Sequence, residues 1–268
     1  MSKRISESSG QGGAIHPSAI VEAGARLGAG VSVGPFSIIL AGAEIGDGCE
    51  IGSHVRIEAS VRLGPNCRVF QGAVLGSPPQ DLKFRGEATR LVIGEGCVIR
   101  EYATLNPGTG AGSETQVGVG CLLMAYTHVA HNCRLGDHVI LANSVNLAGH
   151  VSVEDYASVG GVTPVHQFVR IGAHAFVGGG SRVAQDVPPF LRGAGNPLVI
   201  TGPNSVGLQR RGFSAESIRA LHRAHRLLYR GGLNTSQALA RLEAELGAVA
   251  EVRQLIDFVR ASARGIVK

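Results

Sequence analysis

Histidine, glycine and small polar residues gather in three short runs of this 268-residue chain, Thr127-His128-Val129-Ala130-His131-Asn132, Leu147-Ala148-Gly149-His150 and Val165-His166-Gln167-Phe168. An imidazole exchanges protons near neutral pH, so a histidine placed against a hydroxyl or an amine can serve as general base. A glycine beside it lets backbone approach closely, which suits an N–H aimed at a developing oxyanion. Gly149 follows His131 by 18 residues, and Gln167 follows Gly149 by the same step. A chain repeating on that length stacks the three runs about 4.8 Å apart and lines one edge with His131, His150 and His166. Any one of these histidines alone reads as a surface residue; their alignment reads as a site.

The repeat is present. Stepping by six from Ile15 to Val183 gives 29 positions, and 26 of them hold Ile, Leu or Val. The exceptions, Asp81, Glu87 and Ala111, fall in two polar stretches, after which the period resumes in phase. Glycine often follows the aliphatic residue, as in Ile45-Gly46, Leu63-Gly64 and Val117-Gly118. Six-residue spacing fits a short strand and a corner, whereas a helix needs a period of about 3.6. Three such sides close one triangular coil of 18 residues, each coil burying its apolar side only against its neighbours.

Composition narrows the class. Residues 1–13 are polar and Gly/Ser-rich with no apolar run after Lys3 and Arg4, and read as a flexible tail rather than a signal peptide. No run approaches the ~18 consecutive apolar residues of a membrane span, so no integral membrane segment is expected and the cytoplasm is the expected location. Cys49, Cys67, Cys97, Cys121 and Cys133 share one phase of the hexad, two residues before the aliphatic position, and read as small core side chains. No CxxC is present and no disulfide framework is indicated.

The expected organisation is the tail, a solenoid over 14–186 with loops at about 77–90 and 106–116, a Pro-containing connection over 187–211 and a helical domain over 212–268. Ser214 can cap a first helix that Gly231-Gly232 ends; Thr235 or Ser236 can start a second, and a third runs through Val252, Leu255, Ile256 and Val259. Charge divides at the same boundary. Residues 185–268 hold 12 Lys/Arg against 6 Asp/Glu, net +6, while residues 1–184 hold 13 against 14, net −1. A basic helical face suits a solvated surface, a nucleic acid or an acidic protein. Few aromatic residues and no recognition motif accompany the arginines, which argues against nucleic acid.

Several interruptions of the hexad are more specific than the hexad itself. Gln80-Asp81-Leu82-Lys83, the three histidine runs, Val183-Ala184-Gln185-Asp186-Val187-Pro188-Pro189 and Gly207-Leu208-Gln209-Arg210-Arg211-Gly212-Phe213 together resemble the UDP-N-acetylglucosamine O-acyltransferases of the hexapeptide-repeat transferases. The resemblance runs from residue 14 through the helical domain. It implies an all-β left-handed parallel β-helix followed by α-helices, against the usual right-handed crossover. It also implies direct transfer of a 3-hydroxyacyl group from acyl carrier protein to the 3-position of a UDP-aminosugar at the start of lipid A biosynthesis, without cofactor or metal. In that frame His131 is the general base and Gly149 supplies the oxyanion N–H. Asp81, Lys83, His128, His150, His166 and Gln167 hold the sugar, phosphates or acyl chain, and Asn204 and Arg211 the nucleotide end. Gly179 sets acyl length, Arg210, Arg219 and Arg223 dock the carrier, and a homotrimer carries the sites at subunit contacts.

Three positions depart from the family. Asn132 stands where Asp is usual, Asn106-Pro107 where His-Arg is common, and Val206 where Glu is expected near the nucleoside. With Asn106 and a weaker base, a 3-amino acceptor competes with the 3-hydroxyl. The N-acyltransferase of the same pathway is a rival activity, but residues 1–13 leave no room for its extra N-terminal domain. A γ-type carbonic anhydrase shares the scaffold, but none of the ten histidines forms its His-x4-His pair. A structural solenoid without catalysis is argued against only by the aligned histidines.

Overall fold

The computed structural model describes residues 13–268, so the expected tail lies outside the described residues but for Gly13. Two-residue strands recur at the hexad spacing and pair in parallel with the strand one coil away, as Val129 pairs with Leu147 and Leu147 with Val165. Three sheets result. The first runs from Ile20–Val21 to Pro164–Val165, the second from Arg26–Leu27 to Arg170–Ile171, and the third begins at Ser32–Val33. Their hexad residues point inward, and Ile39, Leu75, Leu105, Leu141 and Leu147 are fully buried in one continuous core. The five cysteines lie in the same core as free thiols.

The chain meets three edges per coil: a first edge between the first and second sheets, a second edge before the third sheet, and a third edge on return to the first. Most turns carry a residue with positive φ, a glycine at positions such as Gly72 and Gly96 and a side chain such as Tyr126, Asn132, His150 or Tyr156 at others. Both polar interruptions leave from the first edge. Val74 pairs with Thr104 and Thr104 with His128, so the loops bulge outward and the register is kept.

The connection over 187–211 carries regular structure of its own. Leu191–Ala194 extends the third sheet in parallel, Val199–Pro203 adds to it antiparallel, and helix α1 occupies Ser205–Arg210. Helix α2 (Ala215–Arg230) is capped by Ser214 and α3 (Thr235–Leu246) starts at Thr235, both as expected; the cap of α3 is Asn234, with Gln237 completing a capping box. Helix α4 spans Ala250–Arg260. Asp186 joins the two parts: buried, it accepts hydrogen bonds from the Arg170 N–H at 2.9 Å and the Ser262 hydroxyl at 2.7 Å. Among the described residues no helix is long and apolar enough to cross a membrane.

Candidate active site

The first edge carries His131, Gly149 and Gln167 in one row, each two residues beyond a paired strand position, and Asn132, His150 and Phe168 in the next. Between the stacked turns the rings touch. His131 and His150 meet edge to face with centroids 5.2 Å apart, and His150 stacks on Phe168 at 4.6 Å. Gly149 is glycine for a reason visible here: a Cβ at that position would lie 2.5 Å from His131 Cε1 and 2.6 Å from its Nε2. The amides flanking Gly149 are spent, Ala148 donating to Val165 O at 3.1 Å and His150 to His131 O at 3.0 Å.

Asn132 decides which nitrogen of His131 is basic. Its Oδ1 accepts the Thr109 backbone N–H at 2.9 Å and its Nδ2 donates to Thr109 O at 3.3 Å, so the amide can face only one way. That orientation sets Oδ1, an acceptor, 2.8 Å from His131 Nδ1, which must therefore donate. The neutral ring then keeps its lone pair on Nε2, toward Gly149 and the first loop, where Asp81 Oδ2 lies 3.9 Å away. Thr109, absent from the sequence-level site, is the hub of this clamp; it lies in the second loop, where no repeat marks it. The Asn132 N–H is held in turn by the Thr115 hydroxyl at 2.9 Å.

The remaining expected site residues fall near or far. Lys83 is exposed on the first loop and donates its backbone N–H to Asp81 Oδ1 at 2.9 Å. His128 faces outward on the first sheet, with Nδ1 2.7 Å from Thr104 Oγ1, and burial followed by the His131 charge holds its pKa below the usual imidazole value. His150 is shifted the same way by the same two causes. His166 is exposed, its Nδ1 3.1 Å from an Arg264 Nη2. Gly179 lies on the third edge, not the first, with Gly161 O 3.1 Å from where a Cβ would sit. Asn204 and Arg211 lie on the second edge. Arg211 covers Tyr156 at 4.1 Å, and Asn204 caps α1 while donating to His174 O at 3.0 Å. A cleft of about 630 Å³ opens there, lined by Tyr156, His174, Asn204, Val206, Arg210 and Arg211.

Residues 186–267 match the family described as UDP N-acetylglucosamine O-acyltransferase, domain 2, and residues 24–59 the bacterial transferase hexapeptide family. The acyl-(acyl-carrier-protein) UDP-N-acetylglucosamine O-acyltransferase of Halorhodospira halophila is 49% identical over 255 residues, 95% of this chain and 99% of the relative. The chain belongs to the UDP-N-acetylglucosamine O-acyltransferase family. The enzyme of that name from Paracidovorax citrulli is 54% identical over 75% of this chain and 79% of its own length. The LpxA structure from Acinetobacter baumannii superposes with a TM-score of 0.91 at 40% identity, covering 95% of this chain and 99% of that one. The LpxA of Bacteroides fragilis gives 0.92 at 40%, covering 94% and 99%.

The three positions expected to depart from the family, Asn132, Asn106 and Val206, each have a defined setting. Asn132 keeps the acceptor that orients His131 while lacking a charge. Asn106 is 4% exposed and donates to Ser77 O at 2.9 Å, which holds the root of the first loop, while its Oδ1 has no partner among the described residues. Val206 is more than half exposed in the second-edge cleft, at the start of α1.

Proposed function

We propose that the chain transfers a 3-hydroxyacyl group from acyl carrier protein to the 3-hydroxyl of UDP-N-acetylglucosamine, the opening step of lipid A biosynthesis, in the cytoplasm and without metal or cofactor. His131 Nε2 takes the proton of the sugar hydroxyl as its oxygen attacks the thioester carbonyl. The tetrahedral oxyanion faces the Gly149 N–H; its collapse expels the carrier thiolate, to which the imidazolium returns the proton. The observation that carries this reading is the Asn132 clamp, which leaves the Nε2 lone pair beside Gly149. The buried Asn106, turned to Ser77, favours the hydroxyl over the 3-amino acceptor. Family membership supports a left-handed winding of the coils.

The same reading needs more than one chain. His131 and Gly179 flank the first sheet on its two sides, whereas Asn204 and Arg211 occupy the second edge, opposite that sheet. A site that uses all of them forms when the second edge of one copy faces the first sheet of the next, a heterologous contact that closes as a homotrimer. Phe36, Tyr102, Tyr126 and Val162, all exposed along the third edge, give such an assembly apolar surface to bury. Arg210, Arg219 and Arg223 then dock the carrier; Arg223 already meets Glu245 at 3.5 Å.

His131→Ala tests the chemistry. With acyl carrier protein as donor its kcat should fall about 10²–10⁴-fold while binding of the UDP-sugar is kept, because the base acts on the transition state. Retention of more than about a tenth of kcat makes His131 a bystander. Acyl-CoA in place of the carrier donor should serve poorly.

A further inference from the structure

A second cleft, of about 300 Å³, opens between strand Val199–Pro203 and helix α2, away from the first edge. Its walls carry three guanidiniums, Arg192, Arg226 and Arg230, and two imidazoles, His222 and His225. Four other arginines of the helical domain are paired, Arg223 and Arg241 with Glu245, Arg253 and Arg260 with Glu243, whereas Arg219 and Arg264 stand apart from the cleft. Among the described residues Arg192, Arg226 and Arg230 meet no carboxylate, and no Asp or Glu lines the cleft. Arg226 and Arg230 stand one helical turn apart, a spacing at which like charges oppose helix formation unless an anion lies between them.

The imidazoles extend the pattern. His222 Nε2 lies 3.0 Å from the Ser205 hydroxyl, which fixes the ring at the cleft wall. His225 is 6% exposed and stacked on Tyr229 at 5.1 Å, and its Nε2 has no protein partner among the described residues. Burial first, then Arg230 and His222, holds the pKa of His225 below the usual value, so the ring waits neutral in a cationic wall. Guanidiniums arriving from a strand and from a helix suit an ion whose oxygens point in several directions, where a planar carboxylate occupies one fork.

We propose that this cleft binds a phosphate group, held by Arg192, Arg226 and Arg230 with His225 behind it. Two sources share that chemistry: free phosphate or a small phosphomonoester, and the phosphodiester through which a carrier protein bears its acyl arm. Phosphate binding itself does not rest on the acyl-transfer reading, so the two stand or fall separately. Calorimetric titration of the full chain with inorganic phosphate should show saturable binding, one ion per chain, that persists with UDP present. The surface pair Arg226→Gln with Arg230→Gln should raise Kd at least tenfold with the fold intact by circular dichroism, and His225→Phe should raise it less. No saturable heat, an unchanged Kd in the arginine pair, or displacement by UDP overturns the proposal. A raised KM for the carrier donor in the arginine pair assigns the phosphate to the carrier; an unmoved KM beside the weakened Kd assigns it to the free ion.

Discussion

Gly149 is where one atom separates activity from stability. A methyl there collides with the His131 ring, the movable end of a side chain, and not with backbone. Gly149→Ala should therefore swing the imidazole off its Asn132 acceptor, lowering kcat about 10²-fold while costing about 1 kcal/mol of stability, one hydrogen bond. Urea unfolding read beside initial rates tests it; a variant that turns over normally would show that the ring has room this geometry denies. The row His131, Gly149, Gln167 was legible in the sequence because coil length is arithmetic. Thr109 was not, since it acts from a loop outside the repeat, and neither was the burial of Asn106, which depends on where the Ser77 carbonyl comes to rest.

Among the elements, the second edge stacks His138, Tyr156, His174 and Phe190 as a ladder with centroids 4.8, 5.0 and 5.7 Å apart. Burial, then Arg211, depresses the pKa of His174; burial also leads the depression at His128 and His225. From about pH 7.5 upward, a unit above the unfolded imidazole pKa of about 6.5, these rings are neutral folded or unfolded and cost nothing. Below it the unfolded chain binds protons that the folded chain excludes, so stability should fall as pH drops from about 7.5 to 5.5. His174→Phe should flatten that slope in urea midpoints while keeping the ladder; an unchanged slope would place the linkage in other groups. The hexad made the strands legible up to Val183. Leu191–Ala194 and Val199–Pro203 escaped because they pair partly antiparallel, with Gly193 and Gly202 inside them and no six-residue phase to mark them.

At the scale of the whole molecule, the placement of Arg211 and His131 on different edges makes a prediction about subunits that neither residue makes alone. If one chain held a complete site, a mixture of two inactive variants would stay inactive. If each site takes its imidazole from one copy and its second edge from the next, His131→Ala and Arg211→Ala chains co-expressed in one trimer restore some sites. A contact with one intact first edge and one intact second edge arises when the two variants sit in the right order, which random assembly gives in about one quarter of contacts. Selecting the doubly tagged trimer removes the inactive homotrimers and leaves one correct contact in three, so it should regain about a third of wild-type activity, while each variant alone stays near background. Complementation absent from a mixed trimer of confirmed composition would return the site to a single chain, and the exposed third edge would then need another partner.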